Sequence, residues 1–104
     1  MTAEEVVQAV REGRDLSRQN LSGLNLSKQD LRNARLAGAD LSECNLQDAD
    51  LRGADLSDAN LYKADLRGAS LRRANLTRAN RMLARIRKWA LKGAYIAGPT
   101  AYTD

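Results

Sequence analysis

Leucine returns at every fifth residue from Leu16 to Leu76, thirteen times without a gap. This one feature excludes both regular secondary structures. On a straight α-helix a five-residue step rotates the side chain by roughly 140°, so the leucines would wind around the whole surface instead of forming one stripe. In a straight strand, where side chains alternate with a period of two, they would change faces at each step. The chain itself must therefore turn once every five residues.

The residues flanking each leucine show how it turns. With the leucine as position i, position i−2 is Ala at 34, 39, 49, 54, 59, 64, 69, 74 and 79, with Cys44 and Leu24 as larger variants and Gln19 as a polar one. Position i−1 is Asp or Asn at twelve places between Asp15 and Asn80, with Arg35 and Ser70 as the exceptions. Two apolar positions separated by one polar residue are local strand alternation, so i and i−2 point inward and i−1 points out. All seven glycines of the chain fall at i+2. Glycine tolerates the positive φ that the third residue of a type II turn requires, which places the corners at i+1 and i+2. If the glycine corners alone hold positive φ, Gly53→Val costs more than Asp58→Val. Right-angled corners close a square after four units, so that twenty residues make one coil and coils stack about 4.8 Å apart. The expected core is then a ladder of leucines, among them Leu36, Leu41, Leu46, Leu51, Leu56, Leu61, Leu66 and Leu71, with alanine filling the space between.

From about Asp15 to Asn80 the units read A(D/N)LXX, and in this they resemble the pentapeptide-repeat family. The resemblance implies an all-β solenoid, a right-handed, four-sided (quadrilateral) β-helix that would here have just over three coils over 15–80. Gln19, Leu24 and Gln29 depart from the alanine of position i−2 in the first coil.

A solenoid exposes unpaired backbone and apolar core at both ends and needs caps. Thr2-Ala3-Glu4-Glu5 reads as a capping box, followed by Val6, Val7 and Val10 on one side and Gly13 as a stop. This predicts a helix at about 3–12 within an N-terminal cap of residues 1–14. At the other end, residues 81–104 are expected to form a second cap. In it Asn80 caps a helix over 81–92 that carries Met82, Leu83, Ile86, Trp89 and Ala90 on one side. The competing reading continues the square through 81–90 as two irregular units, since Ala84-Arg85-Ile86, Leu91, Gly93, Ala94 and Ile96 keep the frame. Arg81 at a leucine position and Trp89 at an alanine position argue against it.

The residue inventory points away from catalysis. There is no histidine, and the one cysteine, Cys44, falls at an inward position where an inert thiol is expected. No catalytic residue, cofactor, metal or small-molecule substrate is expected. No apolar run is long enough to span a membrane, and a soluble, cytoplasmic chain is the expectation. Positions twenty apart bring Arg32, Arg52 and Arg72 to one side together with Asp30 and Asp50, a ladder of surface pairs. The net charge of +4 is unevenly placed: residues 1–66 hold 8 basic and 12 acidic residues, a net −4, and 67–104 hold 9 basic and 1 acidic, a net +8. Arg72, Arg73, Arg78, Arg81, Arg85, Arg87, Lys88 and Lys92 are therefore the candidate anion- or partner-binding residues.

Three functions follow as expectations. The first is a non-enzymatic structural or protein-interaction module with an unknown protein partner. The second is weak binding of nucleic acid or another anion through the basic C-terminal end. The third comes from the resemblance alone, since some members of that family protect DNA gyrase by mimicking duplex DNA; the positive net charge and short stack fit that reading poorly. Trp89, Tyr95, Ile96 and Tyr102 add the expectation of a homodimer formed through the C-terminal end.

Overall fold

The computed structural model describes residues 1–96, an elongated body of 31 × 23 × 22 Å. It is a solenoid whose sides are so short that each unit contributes a single bridged residue, always the i−1 position, paired in parallel with the residue twenty positions on. Side one links Asp15, Arg35, Asp55, Asn75 and Tyr95; side two Asn20, Asp40, Asn60 and Asn80; side three Asn25, Asn45, Asp65 and Arg85; side four Asp30, Asp50 and Ser70.

Almost every backbone N–H in a unit has a partner, which explains why five residues suffice. In the unit built on Leu51, the Asp50 N–H donates to Gln29 O in the coil below, at 2.9 Å. The Leu51 and Gly53 N–H groups donate to Ser70 O and Arg72 O in the coil above, both at 2.9 Å, and the Ala54 N–H closes the corner onto Leu51 O at 3.0 Å. The fifth donor, the N–H of i+1, is taken by the i−1 side chain: Asp50 Oδ1 accepts from the Arg52 N–H at 3.2 Å. The same Asx bond recurs at all twelve Asp and Asn positions, from Asp15 to Asn80. The near-invariant Asp or Asn is thus a backbone partner first and a surface charge second.

The leucines at Leu36, Leu41, Leu46, Leu51, Leu56, Leu61, Leu66 and Leu71 are at most 1% exposed, and the alanines between them are equally buried. At every corner from Arg18 to Leu83 the i+2 residue has positive φ, whether it is glycine or not, Asp58 at 59° and Gly53 at 72° included. The condition that the glycine corners alone are left-handed is therefore not met. The geometry of the square demands that φ at each corner, and long or polar side chains adopt it at a cost. A Cβ at Gly53 or Gly68 would in addition press on the exposed side-chain end of Asn33 or Asp48, respectively, which would have to swing aside.

The N-terminal end is closed by α1 (Ala3–Arg11). Its capping box is complete, with the Glu5 N–H donating to Thr2 Oγ1 and the Thr2 N–H to Glu5 Oε1. It stops in a Schellman motif: Gly13, at φ 71°, donates to Val10 O and Arg14 donates to Ala9 O. Val6 and Ala9 are buried against the first coil.

At the C-terminal end the expected helix over 81–92 is absent. Residues 81–87 continue the solenoid, with Arg85 bridged to Asp65 and the Lys63 N–H donating to Met82 O. Only Lys88–Leu91 is helical, as one 3-10 turn, and Tyr95 returns to the ladder opposite Asn75. The stack therefore runs from Asp15 through Arg35, Asp55 and Asn75 to Tyr95, four steps of twenty residues instead of just over three coils. Ladder bonds from the preceding coil outweigh local helix propensity, because each extended unit satisfies donors that a helix would leave open. The rest of the expected cap, residues 97–104 with Tyr102, lies outside the described residues.

Candidate functional site

Because the interior is uniform, chemistry can vary only at the outward i−1, i+1 and i+2 positions, each of which stacks into a column along the stack axis. The most informative column runs up the corner after side four: Arg32, Arg52, Arg72 and Lys92 at i+1. Beside it the i−1 column reads Asp30, Asp50, Ser70 and Ala90. The lower two arginines are held by bidentate pairs, Arg32 to Asp30 at 2.8 and 2.7 Å and Arg52 to Asp50 at 2.8 and 2.6 Å. Arg32 also reaches up to Asp50 at 3.8 Å, which ties one coil to the next. Above Asp50 the acids stop and the cations continue. Arg72, Arg73 and Lys92 carry no ion pair among the described residues, so the imbalance is concentrated on the last coil and a half of this side.

The other members of the basic set divide. Arg78 lies over Asp58, twenty residues earlier, and is neutralised by bonds of 2.8 and 3.0 Å. Arg81 is not an exposed cation: it sits at the inward position of the column Leu21, Leu41 and Leu61 and is only 7% exposed, so its place in the anion-binding set is corrected. The stacking frame overrides its charge there. Arg85, Arg87 and Lys88 are solvent-facing on the last coil, and Arg85 contributes to holding the Asp65 carboxyl below the ordinary carboxylate range, after the dominant effect of its hydrogen bond to Arg67. Cys44 is buried, its thiol donating to Leu21 O, and desolvation pushes its pKa up to about 11; it is a poor nucleophile.

The pairs are legible in titration. The side-chain hydrogen bond from Arg32 holds the Asp30 carboxyl down to about 2, and Asp50, Asp58 and Asp65 are lowered in the same way by Arg52, Arg78 and Arg67. A carboxyl whose folded pKa is depressed contributes stability that is full above its unfolded value and is lost as pH falls through the folded one. Stability is therefore expected to decline from about pH 4 toward pH 2. Asp30→Asn, which keeps the Oδ1 acceptor for the Arg32 N–H, should flatten part of that decline, as read from urea midpoints across the range.

Sequence and structure comparisons now bear on this architecture. The family model described as pentapeptide repeats matches eight copies, over residues 15–48 and 44–80. The chain belongs to the pentapeptide repeat family. Members of this family form right-handed quadrilateral β-helices. Among solved structures, the pentapeptide repeat protein alr5209 from Nostoc Pcc 7120 is 31% identical, with 92% of this chain and 96% of that one aligned at a TM-score of 0.70. The pentapeptide repeat protein AT2G44920 from the Arabidopsis thaliana thylakoid lumen is also 31% identical, over 92% of this chain and 62% of that one, at a TM-score of 0.53. No curated protein sequence matches. As a pentapeptide repeat protein, the chain has a generic frame and a specific exterior, and the cation column of side four is the part of that exterior that departs most from charge balance. No helix among the described residues is long and apolar enough to cross a membrane.

Proposed function

We propose that this pentapeptide repeat protein is a non-enzymatic interaction module whose binding surface is the C-terminal half of side four and the adjoining last coil. The supporting observation is the arrest of the acid column at Asp50 while the cation column continues through Arg72 and Lys92, which leaves fixed positive charge on a rigid backbone. Such a surface selects an acidic partner and holds it without reorganisation. The experiment is affinity capture with and without nuclease, comparing the native chain with a variant in which Arg85, Lys88 and Lys92 are changed to Glu. A protein partner that survives nuclease and is lost from the variant supports the module; no captured partner under either condition refutes it.

The same cations favour a second reading, weak and sequence-independent binding of nucleic acid. If about four of these side chains met phosphates, log affinity would fall against log salt with a slope near −3.6. The variant would then lose binding while Arg32→Glu with Arg52→Glu would change it much less. A DNA mimic would need the opposite sign of charge from the net +4 of this chain.

The end itself is apolar as well as basic: Leu83, Trp89, Tyr95 and Ile96 are 65%, 67%, 61% and 40% exposed. A homodimer through this end would cover them. Light scattering across a concentration series should show the dimer, and Tyr95→Glu with Ile96→Glu should return it to monomer.

A further inference from the structure

The last coil is bridged to the one before it on three sides and not on the fourth. Side two is linked by Asn60 and Asn80, side three by Asp65 and Arg85, and side one by Asn75 and Tyr95, whereas side four ends at Ser70. The cause is the 3-10 turn Lys88–Leu91, in which the Ala90 N–H donates to Arg87 O in place of Ala69 O. Regular coils show what is lost. One coil lower, the Asp48 N–H donates to Arg67 O, the Leu51 N–H to Ser70 O, and Ala49 O accepts from the Ser70 N–H. The equivalent Gly68 N–H, Leu71 N–H and Ala69 C=O have no hydrogen-bond partner among the described residues. A fourth group joins them: Ser70 stands where Asp or Asn would accept from the i+1 N–H, so the Arg72 N–H is open too.

Of these groups, the Ala69 C=O and the Leu71 N–H belong to residues only 1% exposed, as buried as their bonded counterparts one coil lower, whereas the Gly68 and Arg72 N–H groups belong to exposed residues and border one shallow groove lined by Gly68, Ala69, Ser70, Arg72, Trp89 and Lys92. Its floor is small side chains, so a backbone can come close. One wall is Trp89, 67% exposed. The Arg72 N–H lies along the groove with the cationic side chains of Arg72 and Lys92, with Arg73 and Lys88 adjoining in the chain. Among the described residues, the acids that approach it are in the coil below: Asp50, committed to Arg52, and Asp48, under Gly68.

We propose that this groove docks an extended, acidic peptide segment of a partner protein. One of its carboxylates accepts from the Arg72 N–H and pairs with Arg72 and Lys92. One of its backbone carbonyls accepts from the Gly68 N–H, and an apolar side chain packs on Trp89. A simple anion would use the donors and leave the exposed Trp89 bare; a peptide uses both. The inference rests on the interaction-module reading and names the chemistry of its partner.

The test is amide NMR and hydrogen exchange on the full chain with a synthetic peptide of alternating glutamate and valine, against its lysine and valine counterpart and a short DNA duplex. In the free protein the Gly68 and Arg72 amides should exchange faster than those of Asp48 and Arg52. The acidic peptide should protect them and shift the Trp89 indole, and the lysine peptide should do neither. Arg72→Glu with Lys92→Glu should weaken binding by at least about tenfold, while Arg11→Glu with Lys28→Glu, at the far end of the stack, should leave it unchanged. The proposal is overturned if the peptide shifts only residues 81–87 and 96, if the duplex produces the same protection, or if the signals move with protein concentration alone, which would mean that a second copy fills the groove. A captured protein partner that still binds the Arg72→Glu, Lys92→Glu variant would sink the groove while leaving the module standing.

Discussion

Leu46→Ala is expected to lower the unfolding free energy by about 2 to 5 kcal/mol. Leu46 is fully buried at mid-stack, and the ladder places it between Leu26 and Leu66: the Leu26 N–H donates to Asn45 O in its unit, and its own N–H donates to Asp65 O. Both neighbours are pinned by these bonds, so the coils cannot collapse to fill the cavity, which puts the loss toward the upper part of that range. Gln47, the next residue, gives the contrast. Its side chain makes one bond, from Nε2 to Asp65 Oδ2 at 2.8 Å, so Gln47→Ala should cost about 1 kcal/mol or less. Urea titrations of the two variants decide the matter: equal, small losses would contradict the inward placement of the leucine ladder.

The second large effect is at the corners. Every i+2 residue from 18 to 83 has positive φ, and none of them is Val, Ile or Thr. A β-branched residue in that conformation is strained by about 1 to 3 kcal/mol, so both Asp58→Val and Gly53→Val should be clearly destabilising. Gly53→Val should be the worse of the two, because glycine holds that φ without strain whereas aspartate already bears part of it, and Asn33 Oδ1 must swing aside as well. The opposite substitution is expected to help: Glu43, exposed and held at φ 59°, should gain up to about 1 kcal/mol on replacement by glycine. Thermal unfolding of the three variants checks the order, and a Glu43→Gly protein less stable than its parent would mean that the chain entropy of glycine outweighs the relief.

Much of the frame can be read from the residues. The leucine and alanine positions identify the inside, and spacing by twenty identifies stacked neighbours, down to Arg78 over Asp58. The end of the solenoid was hidden because Arg81 and Trp89 occupy positions normally held by leucine and alanine. A single step of the ladder tolerates an arginine whose stem continues a leucine column, and the 3-10 turn absorbs the tryptophan without losing the twenty-residue phase, which Gly93 and Tyr95 resume. The left-handed corners leave a signal in the absence of Val, Ile and Thr from i+2, a weaker one than the glycines because long and polar side chains also adopt that φ. The open backbone groups of side four have no signature beyond Ser70, since they arise from a turn four units later in the chain.

The Asx bond separates folding from electrostatics in these proteins. Each corner needs an oxygen at Oδ1, and Asp and Asn supply it equally: six of each do so here. What selects between them is the residue one coil away. Asn60 donates its amide to Asp40, and Asn80 donates to Asn60, whereas the stacked Asp30 and Asp50 share arginines. Exchanging Asn75 for Asp, beneath Tyr95 and above Asp55, would alter the surface potential by a full charge while leaving its turn intact. Lineages built on this repeat can therefore drift between polycationic and polyanionic exteriors in single steps, acquiring or discarding partners without passing through an unfolded intermediate sequence.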